Sequence, residues 1–301
     1  MRTSALGMAI GLLFLASGAR AQDQDFSKVQ IKTTKLTDKI YMLEGAGGNI
    51  GVSVGDDGVF LIDDQFAPLT PKIKAAVAKL TKKPIRFVLN THWHGDHVGG
   101  NENMAAAGVV IVAHDNVRKR MSVEQFIALM GRKVPPSPEK ALPIVTFSSD
   151  ITFHFNGDDI KVTYAGPAHT DGDALVTFTK GNVVHMGDTF MTISYPFVDL
   201  SSGGNYDGFV AVADKILAAA DDKTKIIPGH GVLSDKAALK GWRDMLATIR
   251  ERVKKLVDAG QNVDQVKAAK VTAEWDDKLG GTFIKPDQLV DFAYAAVKPA
   301  K

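Results

Sequence analysis

The chain alternates between two hydrophobic periods. Short runs rich in β-branched and aromatic residues, "IYMLEG", "NIGVSVG" and "GVFLID", follow one another from residue 40 to 63, divided by glycines and by the "GDDG" turn at 55–58. They predict a strand meander. "TPKIKAAVAKLTKK", 70–83, places Pro71 in a first turn and apolar residues at helical spacing, and predicts a helix. "IRFVLNT" then reads as a buried strand, "NENMAAAG" as a short helix and "VVIVA" as another strand. Asp115 or Asn116 is placed to cap a helix running to about Met130. The Pro-rich "GRKVPPSPEKALP", 131–143, predicts a loop, and "ITFHFNGDDIKVTYAG" a hairpin with "NGDD" as its turn. "ALVTF", "NVVHMGD" and, after a helix over about 207–220, "KIIPGH" add three strands. From Asp235 onward the pattern is helical, with Leu246, Ile249, Val253 and Leu256 at helix spacing. Strands and helices thus recur in two similar halves. The pattern predicts an α/β architecture of two sheets packed face to face with helices outside.

The N-terminus departs from this pattern. "MRTSALGMAIGLLFLASGARAQ" has an early Arg2, an apolar stretch from Ala5 to Ala16 and the small-x-small end Ala19–Ala21, the marks of a secretory signal peptide cleaved after Ala21. The stretch is about five residues too short to span a bilayer. The expected mature chain is therefore periplasmic or secreted and carries no membrane anchor. Losing the leader takes Arg2 and Arg20 from the 36 basic residues and leaves 34 against 34 acidic ones. Such a balance gives no electrostatic footprint for nucleic acid. The chain has no cysteine, so the core alone must stabilise it and any metal must be held by nitrogen and oxygen.

The candidate chemistry gathers where strands end. "THWHGDHVGG", 91–100, puts His92, His94, Asp96 and His97 in six positions, and "GPAHTDGD", "HMGD" and "PGHG" add His169, Asp188 and His230. Glycine or proline beside each permits the tight turns that would bring distant segments together. Five histidines and two aspartates exceed what one tetrahedral ion can use. They suit two ions about 3.5 to 4 Å apart sharing a carboxylate.

These motifs, in this order, resemble the metallo-β-lactamase-fold hydrolase superfamily over most of the chain to about residue 235. The resemblance implies a four-layer αββα sandwich of two mixed sheets. A catalytic domain would span 22–235, with 236–301 a helical C-terminal extension packed on it. It implies one metal on His92, His94 and His169, a second on Asp96, His97 and His230, and Asp188 as the bridge. Asp63 in "VFLIDD" matches the family's aspartate that supports a ligand histidine or its loop. True β-lactamases usually carry Cys or Ser where this chain has Asp188; the ligand set is similar to that of glyoxalase II and the lactonases.

The resemblance implies two Zn²⁺, with Fe or Mn as alternatives, activating a bridging hydroxide against a carbonyl. Asp96 is assigned a second role, orienting that nucleophile. By position, Tyr195, Phe197, Ser202 and Asn205 are expected to contact a small-molecule substrate, and residues 121–138 to form a lid on the other side. His114, His154 and His185 read as packing or capping residues, Asp171 and Asp173 as turn formers, and Trp93, Trp242 and Trp275 as packing. Asp64 and Asp199 receive no role. The expected function is an exported zinc hydrolase of a β-lactam, lactone or thioester. The competing classes are an iron oxidoreductase on the same scaffold, similar to persulfide dioxygenases or flavodiiron proteins, and a non-catalytic periplasmic binder.

Overall fold

A computed structural model of the protein describes residues 25–298. The expected signal peptide and its cleavage point lie outside them. The first half opens with the predicted meander: β1 (Lys32–Lys35), β2 (Ile40–Glu44), β3 (Ile50–Gly55) and β4 (Gly58–Ile62) pair antiparallel in sequence order. Helix α1 (Thr70–Leu80) returns the chain to β5 (Ile85–Asn90), parallel to β4. Two short helices, α2 (Gly95–Val98) and α3 (Asn101–Ala106), lead to β6 (Val110–His114), parallel to β5.

Helix α4 (Asp115–Met121) is shorter than the apolar pattern predicts. Its cap is His114, whose side chain accepts from Asn116 N. The helix stops because Ser122 turns back to the carbonyl of Arg118, and Gln125 to those of Arg120 and Val123. Residues expected to continue the helix form β7 (Gln125–Ile127) instead, which pairs as a hairpin with β8 (Arg132–Val134) from the expected loop and with neither large sheet. Strand β9 (Val145–Phe147) completes the seven-stranded first sheet beside β6.

The second sheet is built from β10 (Asp150–Phe155), β11 (Asp158–Tyr164), β12 (Ala174–Phe178), β13 (Val183–His185), β14 (Lys225–Ile227) and β15 (Ser234–Asp235). The β10–β11 turn is the two residues Asn156 and Gly157 with φ of 55° and 79°. Two successive left-handed residues make a turn whose twist suits a hairpin, which explains the Asn-Gly choice. Helix α5 (Tyr206–Ala219) crosses from β13 to the parallel β14. The C-terminal part is α6 (Lys236–Asp258), α7 (Val263–Ala268), α8 (Ala273–Leu279) and α9 (Pro286–Val297).

Side-chain alternation sorts the core into three layers. Phe60, Ile62, Leu89 and Val112 of the first sheet meet Ile160, Val162, Val176, Phe178 and Ile227 of the second. The opposite face of the first sheet, Leu61, Val88 and Ile111, packs on Ile73 and Val77 of α1. The opposite face of the second, Leu175, Val184 and Ile226, packs on α5, α6 and α9 through Phe209, Leu246, Ile249 and Phe292. This is the expected αββα sandwich. Burying each such side chain stabilises by about 1.5–3 kcal/mol, so three continuous layers suffice without a disulfide. Among the described residues no helix is long and apolar enough to cross a membrane.

Candidate metal centre

Both sheets deliver their site loops to one edge of the sandwich. β5 ends at Asn90, and the next residues carry His92, His94, Asp96 and His97. β11 runs out before His169, β13 before Asp188 and β14 before His230. Rigid strands fix where each loop starts, and the loops supply the polar groups. The structure brings all seven predicted ligands together in three overlapping groups: His92, His94 and His169; His92, His97 and Asp188; and Asp96, His97 and His230. Within each group the ligating atoms lie within 4.8 Å of one another. His97 Nε2 is 3.1 Å from Asp188 Oδ1, and His230 Nε2 is 3.1 Å from Asp96 Oδ2 and 3.4 Å from Asp188 Oδ2. Asp188 also approaches His169 Nε2, at 3.7 Å. It therefore stands between the two histidine groups.

Hydrogen-bond partners set the tautomers. The Thr91 hydroxyl donates to Asp63, so its oxygen accepts from His92 Nδ1–H at 3.1 Å, and His92 Nε2 is left bare, buried and without a partner. His169 Nδ1–H donates to the Phe197 carbonyl at 2.6 Å, and His94 Nε2–H donates to Asp199 Oδ2 at 3.0 Å. The remaining atoms, His94 Nδ1 and His169 Nε2, face each other at 2.7 Å. Three imidazole lone pairs thus aim at one point. Nitrogen lone pairs held this way, buried and without protons, fit a tetrahedral cation with a fourth position open.

Asp63 bonds both His97 and the loop that carries it. Its carboxylate accepts from His97 Nδ1 at 2.8 Å and from Thr91 N and Oγ1, both at 2.7 Å. It does so from a left-handed backbone, φ 63°. Asp173, read as a turn former, accepts from the backbone of His169 and from Thr170, and so fixes the turn that carries His169. Asp171 forms a bidentate pair with Arg120.

Burial and charge divide the cluster. Burial, reinforced by neighbouring imidazoles, pushes His92 well below the usual histidine range and His169 down to about 4. Burial opposes protonation of His97 and His230 too, but the carboxylates of Asp188 and Asp96 outweigh it. His97 is raised well above its usual value and His230 to about 10. His92 and His169 are thus neutral at pH 7, whereas His97 and His230 must lose protons before they can ligate.

A cavity of about 490 Å³ opens over the cluster, lined by His94, Asp96, Asp188 and His230 and walled by Phe66, Ile127, Met130, Met191, Ile193, Phe197 and Phe283, with Arg132 and Ser194 as its other polar residues. Of the four expected substrate contacts it contains only Phe197, which stacks on His94 at 5.6 Å. Tyr195 is buried, its hydroxyl on Thr272 O and Asp276. Ser202 is buried between Trp93 Nε1 and Asp199, and Asn205 caps α5 by accepting from Asp207 N. These three are corrections: Tyr195 and Ser202 are buried in the scaffold, Asn205 is an exposed helix cap, and none of them lines the cleft. The far wall lies within the segment expected to form it, but as a hairpin rather than a helix and loop. His114 caps α4 and stacks on Tyr164, and His185 is buried against Asn49 O, as read. His154 corrects the packing assignment, being exposed and paired with Asp159 at 2.6 Å. Asp199 and Phe283 are the residues sequence reasoning missed.

Two face-to-face mixed sheets, with a histidine–aspartate cluster at one edge built to hold metal, define a class of αββα metalloprotein. The family model described as Metallo-beta-lactamase superfamily matches residues 43–230, and the chain belongs to that superfamily. A type 2 metallo-beta-lactamase of Bacteroides fragilis is 25% identical over 217 residues, 67% of this chain and 79% of its own length. A hydroxyacylglutathione hydrolase of a Polaromonas species is 25% identical over 219 residues, 72% of this chain and 74% of the relative. Among solved structures, a metallo-beta-lactamase from Pontibacter korlensis superposes with a TM-score of 0.59 at 19% identity, covering 72% of this chain and 99% of that one.

Proposed function

We propose that the protein is an exported, zinc-dependent hydrolase that cleaves a carbonyl-linked bond of a small molecule: a β-lactam, a lactone or a thioester. The observation that carries this reading is the convergence of three bare imidazole nitrogens, His92 Nε2, His94 Nδ1 and His169 Nε2, beside a second group sharing Asp188. His92, His94 and His169 would hold one Zn²⁺, Asp96, His97 and His230 a second, with Asp188 between them. Zinc bound there supplies a water acidic enough to ionise near neutral pH and a Lewis acid for the carbonyl oxygen.

The remaining steps belong to the chain's own side chains. Asp96 lies partly exposed at the lip of the cleft, and His97 and His230 hold its carboxyl below the usual range against the effect of burial. It is therefore an ionised acceptor placed to orient the attacking water. Phe197, Met191 and Ile193 offer an apolar bed that displaces bulk water from the substrate body. The Asp63–His97 and Asp199–His94 bonds keep two imidazoles in the ligating tautomer.

The test is metal analysis of protein purified without chelator, followed by assays on a cephalosporin, a homoserine-type lactone, a glutathione thioester and a phosphodiester. Chelator-sensitive turnover of one of the first three with zinc bound is the expected result. Iron in place of zinc would transfer the assignment to the oxidoreductase class, and metal-loaded protein inert on the whole panel would leave the binder.

A further inference from the structure

The hairpin β7–β8 presents two faces. Its register sets Gln125 opposite Val134, Phe126 opposite Lys133 and Ile127 opposite Arg132. Side chains alternate along a strand, so Ile127 and Arg132 share one face and Phe126 and Lys133 the other. Ile127 and Arg132 line the cavity over the metal cluster, whereas Phe126 is 52% exposed. The outward cation, Lys133, is paired with Glu124 at 2.9 Å. Arg132 forms no ion pair or hydrogen bond through its guanidinium with any described residue. It shares this with Arg86, which does not line the cavity, and differs from Arg118, Arg120, Arg243, Arg250 and Arg252, each of which donates to a carbonyl or carboxylate. Among the described residues, the only carboxylates lining that cavity are Asp96 and Asp188, already engaged with His230 and His97.

A free guanidinium at the rim of a cleft whose walls away from the histidine–aspartate cluster are mainly apolar has a defined use. Its planar fork matches a carboxylate with two parallel hydrogen bonds. We infer that Arg132 anchors a carboxylate of the substrate, so that the enzyme selects small molecules with an apolar body and an anionic group set apart from the scissile carbonyl. Phe197, Ile193 and Phe283 take the apolar body, the histidine cluster faces the carbonyl, and the hairpin supplies the charge. The inference rests on the hydrolase reading for the carbonyl, but the anion site itself does not depend on turnover.

The test is therefore binding. Calorimetric titration of the zinc-loaded mature protein with 4-phenylbutanoate and with its neutral isostere 4-phenylbutanamide should show the carboxylate bound about tenfold tighter, the size expected of a charge-assisted bidentate contact. Arg132→Gln should weaken the carboxylate alone and bring the two ligands to within about twofold, and Arg132→Lys should restore part of the preference because it returns the charge without the fork. The melting temperatures of both variants should match the parent, since the side chain is exposed and unpaired. A carboxylate preference that survives Arg132→Gln, or equal weakening of both ligands, would overturn the assignment. Failure of all hydrolysis assays would sink the hydrolase reading and leave this result standing separately.

Discussion

His94 and Asp199 are joined by a 3.0 Å bond from imidazole Nε2 to carboxylate Oδ2, and this bond decides which nitrogen of His94 faces the cluster. Asp199 is itself held. Ser201 and Ser202 donate to it, and with His94 they keep its carboxyl below the usual range although burial pushes the other way. Removing a carboxylate that orients a ligating histidine costs about 10- to 100-fold in metal affinity. Asp199→Ala should show that loss in a competitive zinc titration, and Asp199→Asn a smaller one because its amide oxygen still accepts. Unchanged affinity in both would mean that packing alone fixes the ring.

Metal uptake should release protons. Against the effect of burial, Asp188 and Asp96 raise His230 to about 10 and His97 above its usual range, so both rings are charged at pH 7 in the metal-free protein. The sign follows from linkage. A raised folded-state pKa gives stability that is full below the unfolded value near 6.5 and is lost as pH climbs through about 10. Zinc requires both imidazoles neutral, so zinc affinity should increase with pH across the same window. Calorimetry in buffers of different ionisation enthalpy measures the proton count directly. Zinc binding at pH 7 with no net proton release would contradict this reading.

The candidate ligands were legible because all seven sit in loops that follow strands with unambiguous hydrophobic runs, and His92 to His97 share a single loop. Asp199 was not, and received no role, because an aspartate in a Gly- and Ser-rich segment carries no local signal until the fold places it against His94. The stretch 121–138 was misread for a related reason: Phe126, Ile127, Leu129 and Met130 satisfy a helical period as well as an alternating one. Only the local bonds of Ser122 and Gln125 to the preceding turn end the helix. Phe283 reaches the cleft from the C-terminal helical region, about a hundred residues beyond Asp188, and no local pattern records that contact.

Tyr195 illustrates how sequence position alone can assign a role that the fold does not support. Its hydroxyl donates to Asp276 Oδ1 at 2.8 Å and to Thr272 O at 3.2 Å, tying the segment after Asp188 to α8. Burial, with Asp276 beside it, raises the phenol above its usual range, so it remains a neutral donor. Tyr195→Phe removes those bonds and strands their acceptors, for a loss of about 1–2 kcal/mol in chemical denaturation. KM for any turned-over substrate should stay at the parent value. A raised KM with unchanged stability would return Tyr195 to the binding site.

Gly48 separates the two metal groups experimentally. Its amide donates to Asp96 O at 3.1 Å and its carbonyl accepts from Gln65 Nε2 at 2.6 Å, so the backbone is pinned against the ligand loop. A Cβ there would lie 2.1 Å from Cε1 of His97, and that ring cannot swing away without losing its bond to Asp63. Overpacking of this kind costs about 1–3 kcal/mol, which a core of this size can absorb, so the damage should fall on the site. Gly48→Ala should fold and keep the His92, His94 and His169 group while displacing His97. Its zinc content should drop from about two equivalents to about one, since the second ion loses one of its ligands. Gly95→Ala, between His94 and Asp96 but with nothing within 4 Å of its Cβ, should keep both ions. Inductively coupled plasma analysis after dialysis at fixed free zinc reads the difference. Two equivalents retained by Gly48→Ala would show that His97 is not needed to hold the second ion.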